Sequence, residues 1–417
     1  MGATTDNGNK SVLVIGVSTQ IGLTIIRSFG ARGIKIYGIG NNKTDVGLYS
    51  KYLTKGFVIP FNLNNDTFIN NILKIIQENN IHYVYAIAEN ILVELNKHRE
   101  KIEQYARLLI QDEKRLNIAL NKHKTTEIAK SLGIPVPKSI MIDGISKIES
   151  CKELQFPVII KPFSSVIDNK DDKKRLNFRI KYIASFKKIK EYFNDFEFNS
   201  NFPIVQEYCG GEENGFGIMM HKGEAIACCQ YKILRNSPPN GGVPVYVESK
   251  PIDPQLKDYS EKLLKKLNWE GVAELDYIKH SGDNAFKFLE INGRFWGSLP
   301  VVVKSGVDFP YLLYQMAEGQ NPAKVFNYKS GIKCRLLGGY TRSLIESLVA
   351  QRNEVTKELI GTRKEAIINY LKSFHPSVKY HIQSFDDPLP GIIDIGLILA
   401  RPLTSSLGFA KKKLKRM

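Results

Sequence analysis

Two hydrophobic rhythms succeed one another along this chain. From residue 11 the text runs SVLVIG, a short β-branched block closing on glycine. Next comes QIGLTIIRSFGARG, with apolar positions at helical spacing, and then IKIYGIG. Strand, glycine turn, helix and strand make a βαβ unit, the building block of a parallel sheet. The helix-period stretch DTFINNILKIIQENN and the strand IHYVYAIAE extend the alternation, so residues 1–110 read as a Rossmann-like domain. Its turn is Gly16-x5-Gly22 rather than G-x-G-x-x-G, and its second strand ends GIGNN with no acid to hold a ribose hydroxyl. A working dinucleotide site is therefore not expected.

From residue 121 the rhythm changes. NKHKTTEIAKSLGIPVP reads as a helix begun by Thr125 and Thr126 and stopped by Gly133, Pro135 and Pro137. A strand (SIMI), a helix, and the buried strands FPVIIKP and PIVQEYC follow. GFGIMMHKGEAIACCQYKIL then predicts a hairpin turning at His221–Glu224, and GVAELDYIKHSGDNAFKFLEINGR a second turning at Ser281–Asn284. Residues 111–325 thus predict two α+β lobes rich in antiparallel strand, one of them spanning about 138–205.

In the second hairpin Asp276 (in ELDY) and Glu290 (in FLEIN) fall on partner strands whose register can bring both carboxylates to one face. Asn292, two residues beyond Glu290, shares that face, and Glu274 is a neighbour. Two carboxylates and an amide oxygen make a hard-oxygen set suited to magnesium. Glu290 interrupts an apolar strand, where a carboxylate needs a partner. Lys161 ends the apolar strand VIIKP, where an ammonium calls for an anion.

These elements, in this order, resemble the ATP-grasp superfamily of carboxylate–amine or thiol ligases, over about residues 10–325. The stretch Glu290–Leu299, EINGRFWGSL, is similar to the signature of predicted carboxylate–amine ligases. The resemblance implies a fold of mixed class, α/β and α+β: a Rossmann-like parallel sheet, a two-lobed ATP-grasp fold, and a basic C-terminal extension at 326–417. It implies ATP as cosubstrate, with Asp276, Glu290 and Asn292 holding one or two Mg²⁺ (Mn²⁺ as a substitute), and Lys122 and Lys161 on the phosphates. The strand containing Gln206, Glu207, Tyr208 and Cys209 would border adenine, with Cys209 as an apolar wall. Glu213 would take the ribose, and Glu212 competes for that role. Arg294 would meet the phosphoryl group or the substrate carboxylate, and Arg235 is a second candidate. Phe295–Ser298 would begin the substrate wall. The family's glycine-rich phosphate loop is missing from KPFSSVIDNKDDKKRLNFRIKY, where Ser164, Ser165 and the Lys/Arg run 170–175 are the candidates for that contact.

Charge changes the picture only at the end of the chain. Of the net +17, residues 326–417 carry +9 and the preceding 325 residues carry +8. Five cysteines without a C-x-x-C pair predict neither disulfides nor zinc, and a reducing, cytoplasmic setting. The opening residues MGATTDNGNK have no apolar h-region, so no secretory signal is expected. Residues 388–400, PLPGIIDIGLILA, precede a terminus where five of the last seven residues are Lys or Arg. Two expectations follow: a docked terminal strand with a solvated basic end, or a segment lying on the inner face of an anionic bilayer. The expected partners are a small carboxylate and an amine, with homo-oligomers compatible. A nucleic-acid binder is disfavoured because acids balance the basic residues of the body and no recognition motif appears. A carboxylase working through carboxyphosphate is the enzymatic alternative.

Overall fold

The structure is a computed structural model that describes residues 10–63, 66–164, 181–194, 196, 202–350 and 360–400. Five parallel strands form the first sheet, in the order β3 (Lys55–Val58), β2 (Ile36–Gly40), β1 (Val12–Ile15), β4 (Tyr83–Ala86) and β5 (Arg107–Leu108). Every side chain of β1 and β4 is buried, as a parallel strand covered on both faces requires. Helices Thr67–Glu78 and Glu89–Lys97 cover one face with Phe68, Ile72, Leu92 and Leu95.

The other face is shared. Helix Gln20–Gly30 packs there together with helices Leu299–Ser305 and Phe309–Ala317, which come from much later in the chain. Tyr85 of β4 stacks on Phe295 at 6.0 Å, and Ser28 donates to Asp308 at 2.7 Å. One hydrophobic core therefore spans the first sheet and the second unit and fixes their relative position.

The second unit holds two more sheets. The smaller has the order β6 (Ser139–Met141), β9 (Pro203–Glu207), β7 (Val158–Pro162), β8 (Lys181–Ile183), all antiparallel. The larger has the order β14 (Phe286–Asn292), β13 (Gly271–His280), β10 (Gly211–His221), β11 (Glu224–Ser237), β12 (Val243–Lys250), β15 (Lys333–Arg335), β16 (Lys379–Tyr380). Both expected hairpins form. Lys222 and Gly223 turn the first with φ of 51° and 79°, the left-handed pair a two-residue type I′ turn demands.

Three local expectations differ from the structure. The helix after Gly144 is instead a pair of 3₁₀ turns, Ile145–Lys147 and Glu149–Glu153. The helix Lys122–Ser131 begins earlier than Thr125, because the Asn121 side chain accepts the Lys124 amide at 2.9 Å and caps it; Thr125 and Thr126 donate to the Lys122 carbonyl instead. Residues 388–400 are helical rather than a strand. Pro388 and Pro390 sit in its first turn, where a missing amide hydrogen costs nothing, and the apolar run is long for a strand.

The described residues from 326 onward are built into the fold. β15 and β16 extend the larger sheet, and residues 381–387 reach back to the first unit. There Asp387, 1% exposed, accepts from Arg27 Nε (2.9 Å), Ser50 Oγ (2.7 Å) and the Lys51 amide (2.9 Å). Asp387→Ala would leave the largely buried Arg27 without its counter-ion, at a cost of roughly 3 kcal/mol. A thermal denaturation midpoint several degrees lower, only partly restored in Asp387→Asn, is the expected result. An unchanged midpoint would show that the clasp contributes nothing.

Candidate active site

A cleft of about 700 Å³ lies between the smaller and the larger sheet. Its lining includes Lys122, Lys161, Gln206, Glu207, Tyr208, Cys209, Glu213, Arg235, Asp276 and Glu290, from both lobes. Ser164, Asn292 and Arg294 stand just outside it. Ser165 and the 170–175 run lie outside the described residues.

The acids owe their meeting to strand register. Asp276 on β13 is directly paired with Glu290 on β14, and Glu274 with Asn292. On the far side of β13, Gly215 pairs with Asp276, which puts Glu213, two residues before it, on the same face. Room for this face comes from glycine: a Cβ at Gly215 would run into the ring of Tyr231, whose hydroxyl donates to Glu274.

Burial and crowding set the charges. Asp276 is pushed up to about 8, first by burial and then by Glu290 and Glu213. Glu274, fully desolvated and beside Asp276, is raised well above the usual carboxylate range. Burial would raise Glu290 too, but Lys122 and Lys161 outweigh it and hold this carboxyl below its ordinary value. Lys122 ion-pairs with Glu290 directly, which keeps its ammonium above the usual lysine range despite burial. Lys161 is 7% exposed, and among the described residues nothing bonds its ammonium. Burial, with Lys122 nearby, lowers it to about 8. A buried ammonium with no counter-ion is a site that an anion would complete.

The remaining candidates take distinct positions. Gln206 is buried in β9, and Tyr208 packs edge-on against Tyr182 at 5.7 Å. Glu207 turns its carboxylate to the Gln155 amide (2.8 Å), and its own amide donates to the Lys138 carbonyl (2.9 Å). The Cys209 thiol is raised by burial, which suits a wall and not a nucleophile. Glu213 accepts from Asn236 Nδ2 at 2.7 Å inside the cleft, whereas Glu212 leans toward Lys232 (3.4 Å). Arg235 lines the cleft, yet its Nη2 donates to Ser347 of helix Leu337–Val349 at 2.9 Å. Asn292 presents Nδ2 to Glu274 (3.0 Å) and Asp276 (3.2 Å). It therefore donates to the acids, and its oxygen would face a cation only after a half-turn of the amide.

For a divalent cation the fit is carried by Asp276 and Glu290. They are opposed on one face, in hard-oxygen chemistry, with the first held near neutrality for want of positive charge. Among the described residues no group of three His, Cys, Asp or Glu forms a self-sufficient metal cage. Such a pair matches a cation that takes its other ligands from water and phosphate.

One acid escaped the sequence reading. Glu89, at the start of the helix following β4, reaches Arg294, with Oε1 3.0 Å from Nη2 and 3.1 Å from Nε. Its position at the carboxyl end of a parallel strand, where ligands of open α/β sheets gather, was the available signal. Beside it, Gln20 Nε2 donates to the Gly297 carbonyl at 3.1 Å, tying the first helix to the 295–298 stretch. Thr19 Oγ1, Trp296 Nε1 and Ser298 Oγ flank this junction, buried and without hydrogen-bond partners.

Residues 201–339 match the family model described as ATP-grasp in the biosynthetic pathway with Ter operon. The D-alanine–D-alanine ligase of Fusobacterium nucleatum subsp. nucleatum is 27% identical over 193 residues. That match covers 42% of this chain and 56% of the ligase, so the chain spans only a little over half of this curated relative. Among solved structures, N5-carboxyaminoimidazole synthetase from Staphylococcus aureus superposes with a TM-score of 0.61 at 14% identity, over 78% of this chain and 80% of that one. The biotin carboxylase domain of Hydrogenobacter thermophilus 2-oxoglutarate carboxylase, in complex with MgADP and bicarbonate, gives 0.59 at 15% identity, over 78% and 73%. Residues 201–339 are thus similar to ATP-grasp proteins, and they follow a five-stranded parallel sheet.

The raised Asp276 predicts a pH signature in metal-free protein. Folded Asp276 keeps its proton up to about pH 8, while the unfolded chain releases it near 4. The folded state thus binds more protons between those values, and stability falls as pH rises through that window, by at most about 1.4 kcal/mol per pH unit. Asp276→Asn should remove this group's share of the slope, leaving that of Glu274, and make the protein more stable than wild type at pH 8. Parallel melting curves for the two proteins from pH 5 to 8, in chelator, would refute the assignment.

Proposed function

We propose that this protein is an ATP-dependent, ADP-forming ligase that joins a carboxylate to an amine. The observation that carries the reading is the buried ammonium of Lys161, unpaired among the described residues, in the same cleft of nucleotide size as an acid pair. ATP would lie with its base against β9, its ribose at Glu213, and its phosphates between Lys122, Lys161 and the acids. Asp276 and Glu290 would hold Mg²⁺ (or Mn²⁺), which when bound supplies positive charge to the phosphate oxygens; Asn292 would orient the acids or join them after rotation.

The substrate carboxylate oxygen attacks the γ-phosphorus, the bond to the β–γ bridging oxygen breaks, and ADP leaves. The incoming ammonium first loses a proton to water; its nitrogen then attacks the acyl carbon, phosphate departs, and the nitrogen's surplus proton passes to that phosphate. Positioning and electrostatics account for such a reaction without a side-chain nucleophile. Arg294 can present its planar fork to the carboxylate or the transferred phosphoryl group. Once it does so, Glu89 is released from its ion pair to receive the ammonium of the incoming amine. The orphaned Thr19, Trp296 and Ser298 groups offer further hydrogen bonds at the junction. Arg235, tied to Ser347, we read as a wall of the cleft that can approach phosphate only by leaving that bond.

Bicarbonate in place of the carboxylate would give the carboxyphosphate chemistry that the likeness to a carboxyaminoimidazole synthetase and a biotin carboxylase keeps in view. The basic residues beyond 400 we assign to contact with an anionic surface.

ADP release measured across a panel of carboxylates, bicarbonate included, and amines tests the reading. Asp276→Asn and Glu290→Gln should each lower turnover by about a hundredfold or more. Near-normal turnover in either would sink the assignment. Lys161→Ala should weaken nucleotide binding more than Ser164→Ala, since a buried ammonium–phosphate contact outweighs a neutral hydroxyl bond. Equal affinities would refute the phosphate role. Glu89→Gln should raise KM for the amine while leaving that for ATP unchanged; a shift in the ATP constant alone would place Glu89 elsewhere.

A further inference from the structure

Large apolar side chains are exposed unevenly over this molecule. Among the described residues, eleven of sixteen such side chains lie between positions 345 and 399. The clearest pattern is on residues 388–400, where the helix has two apolar faces. Its inner face is occupied: Ile393 packs near Leu23, Val46 and Ile382, and Ile398 lies against Gly338. Asp394, its one charged residue, accepts from Gln383 Nε2 at 2.8 Å. Its outer face carries Leu389, Ile392, Ile395 and Leu399, 42% to 68% exposed, and Phe385 just before the helix is fully exposed. At 100° per residue the four helical ones fall within an arc of about 120°. No charged residue interrupts the stripe.

We propose that this stripe is the insertion face of a helix that lies in the surface of an anionic bilayer. The proposal rests on the assignment of the basic terminus to an anionic surface, and it adds the element that makes the contact more than electrostatic. Residues 401–417 hold six cations and no acid, directly following the stripe. An apolar face adjoining a cluster of cations is the pattern of an interfacial helix, in which buried apolar area and lipid charge add. A second copy of the chain is a poorer occupant, because each carries a net +17 and would bring its own cationic terminus to the same contact. Among the described residues no helix is long and apolar enough to cross a membrane, so the contact is peripheral.

Co-sedimentation of the full chain with vesicles of phosphatidylcholine, with or without phosphatidylglycerol, tests this. The wild type should pellet with the anionic vesicles and be released by salt. The triple substitution Leu389→Ser, Ile392→Ser, Leu399→Ser should weaken partition on the order of tenfold or more, with ATP-dependent thermal stabilisation retained as the check on folding. Replacing the five Lys and Arg between 411 and 416 by Gln should lower binding and remove its salt dependence. If that variant binds as the wild type does while the stripe variant fails, the basic terminus is not the anchor and the stripe stands. If the stripe variant binds as tightly as wild type, the insertion face is refuted and only the charge reading survives. Leu389→Trp gives a readout independent of stability, since the native Trp269 and Trp296 are both buried. Its emission should shift to the blue on anionic vesicles, and an unshifted spectrum on bound protein would overturn the proposal. So would a wild-type dimer that the stripe substitutions dissociate, because the face would then belong to a second copy.

Discussion

The pairing register of β13 with β14 is the constraint on which the site depends. It sets Asp276 opposite Glu290 and Glu274 opposite Asn292, so four polar side chains share one face of a sheet whose other face is hydrophobic core. A slip of β14 by one residue against β13 would turn Glu290 and Asn292 into that core and bring Ile291 into the cleft. Each acid alone would be costly to desolvate. Together they are tolerable because Lys122 pairs with Glu290, Asn292 bonds Glu274 and Asp276, and the Tyr231 hydroxyl bonds Glu274. The arrangement compensates most of its charge internally and leaves two groups poised, a carboxyl raised to about 8 and an ammonium without an acceptor among the described residues. Both deficits would vanish if, as proposed, a divalent cation and an anionic phosphate chain entered together.

Much of this was legible from short-range pattern. Alternation around ELDY and FLEIN placed the acids on one face, and an apolar strand ending in lysine flagged Lys161, because period-2 geometry is a local property. What required the fold was every relation across it. Nothing near Arg294 in sequence points to Glu89, 205 positions away, and nothing near Arg235 points to Ser347. The orientation of the Asn292 amide is likewise decided by neighbours on another strand. The three-residue β15 and two-residue β16 are too short to carry a periodic signal, so their joining of the larger sheet was invisible. Residues 388–400 misled for the opposite reason: an apolar run broken only by Asp394 carries little period, and length and the leading prolines decide between helix and strand.

The shared core explains why Glu89 and Arg294 can form one site although they belong to different units. Helices Leu299–Ser305 and Phe309–Ala317 leave the EINGRFWGSL segment and bury themselves against β1, β4 and helix Gln20–Gly30. Phe295 stacks on Tyr85 one residue beyond Arg294, and Glu89 begins the helix three residues beyond the end of β4. The rigid contact thus sits within a few residues of the functional pair on both sides. Precision at the site comes from apolar packing just behind it, the arrangement expected where a side chain must be held without being buried itself.

The C-terminal stretch extends that logic to the far side of the first sheet. Asp387 draws three donors from helix Gln20–Gly30 and the turn at Ser50–Lys51, while β15 and β16 anchor the same stretch to the larger sheet. The first unit is therefore held twice, by the core beneath Tyr85 and by this clasp. Helix 388–400 leaves the clasp with its inner face against the body and its outer face apolar. A surface helix that packed only for stability would be expected to turn polar residues to water. Asp387, directly before this helix, is bonded to Arg27 of helix Gln20–Gly30, whose Gln20 in turn bonds the Gly297 carbonyl beside Arg294, so one helix connects the clasp with the 295–298 stretch.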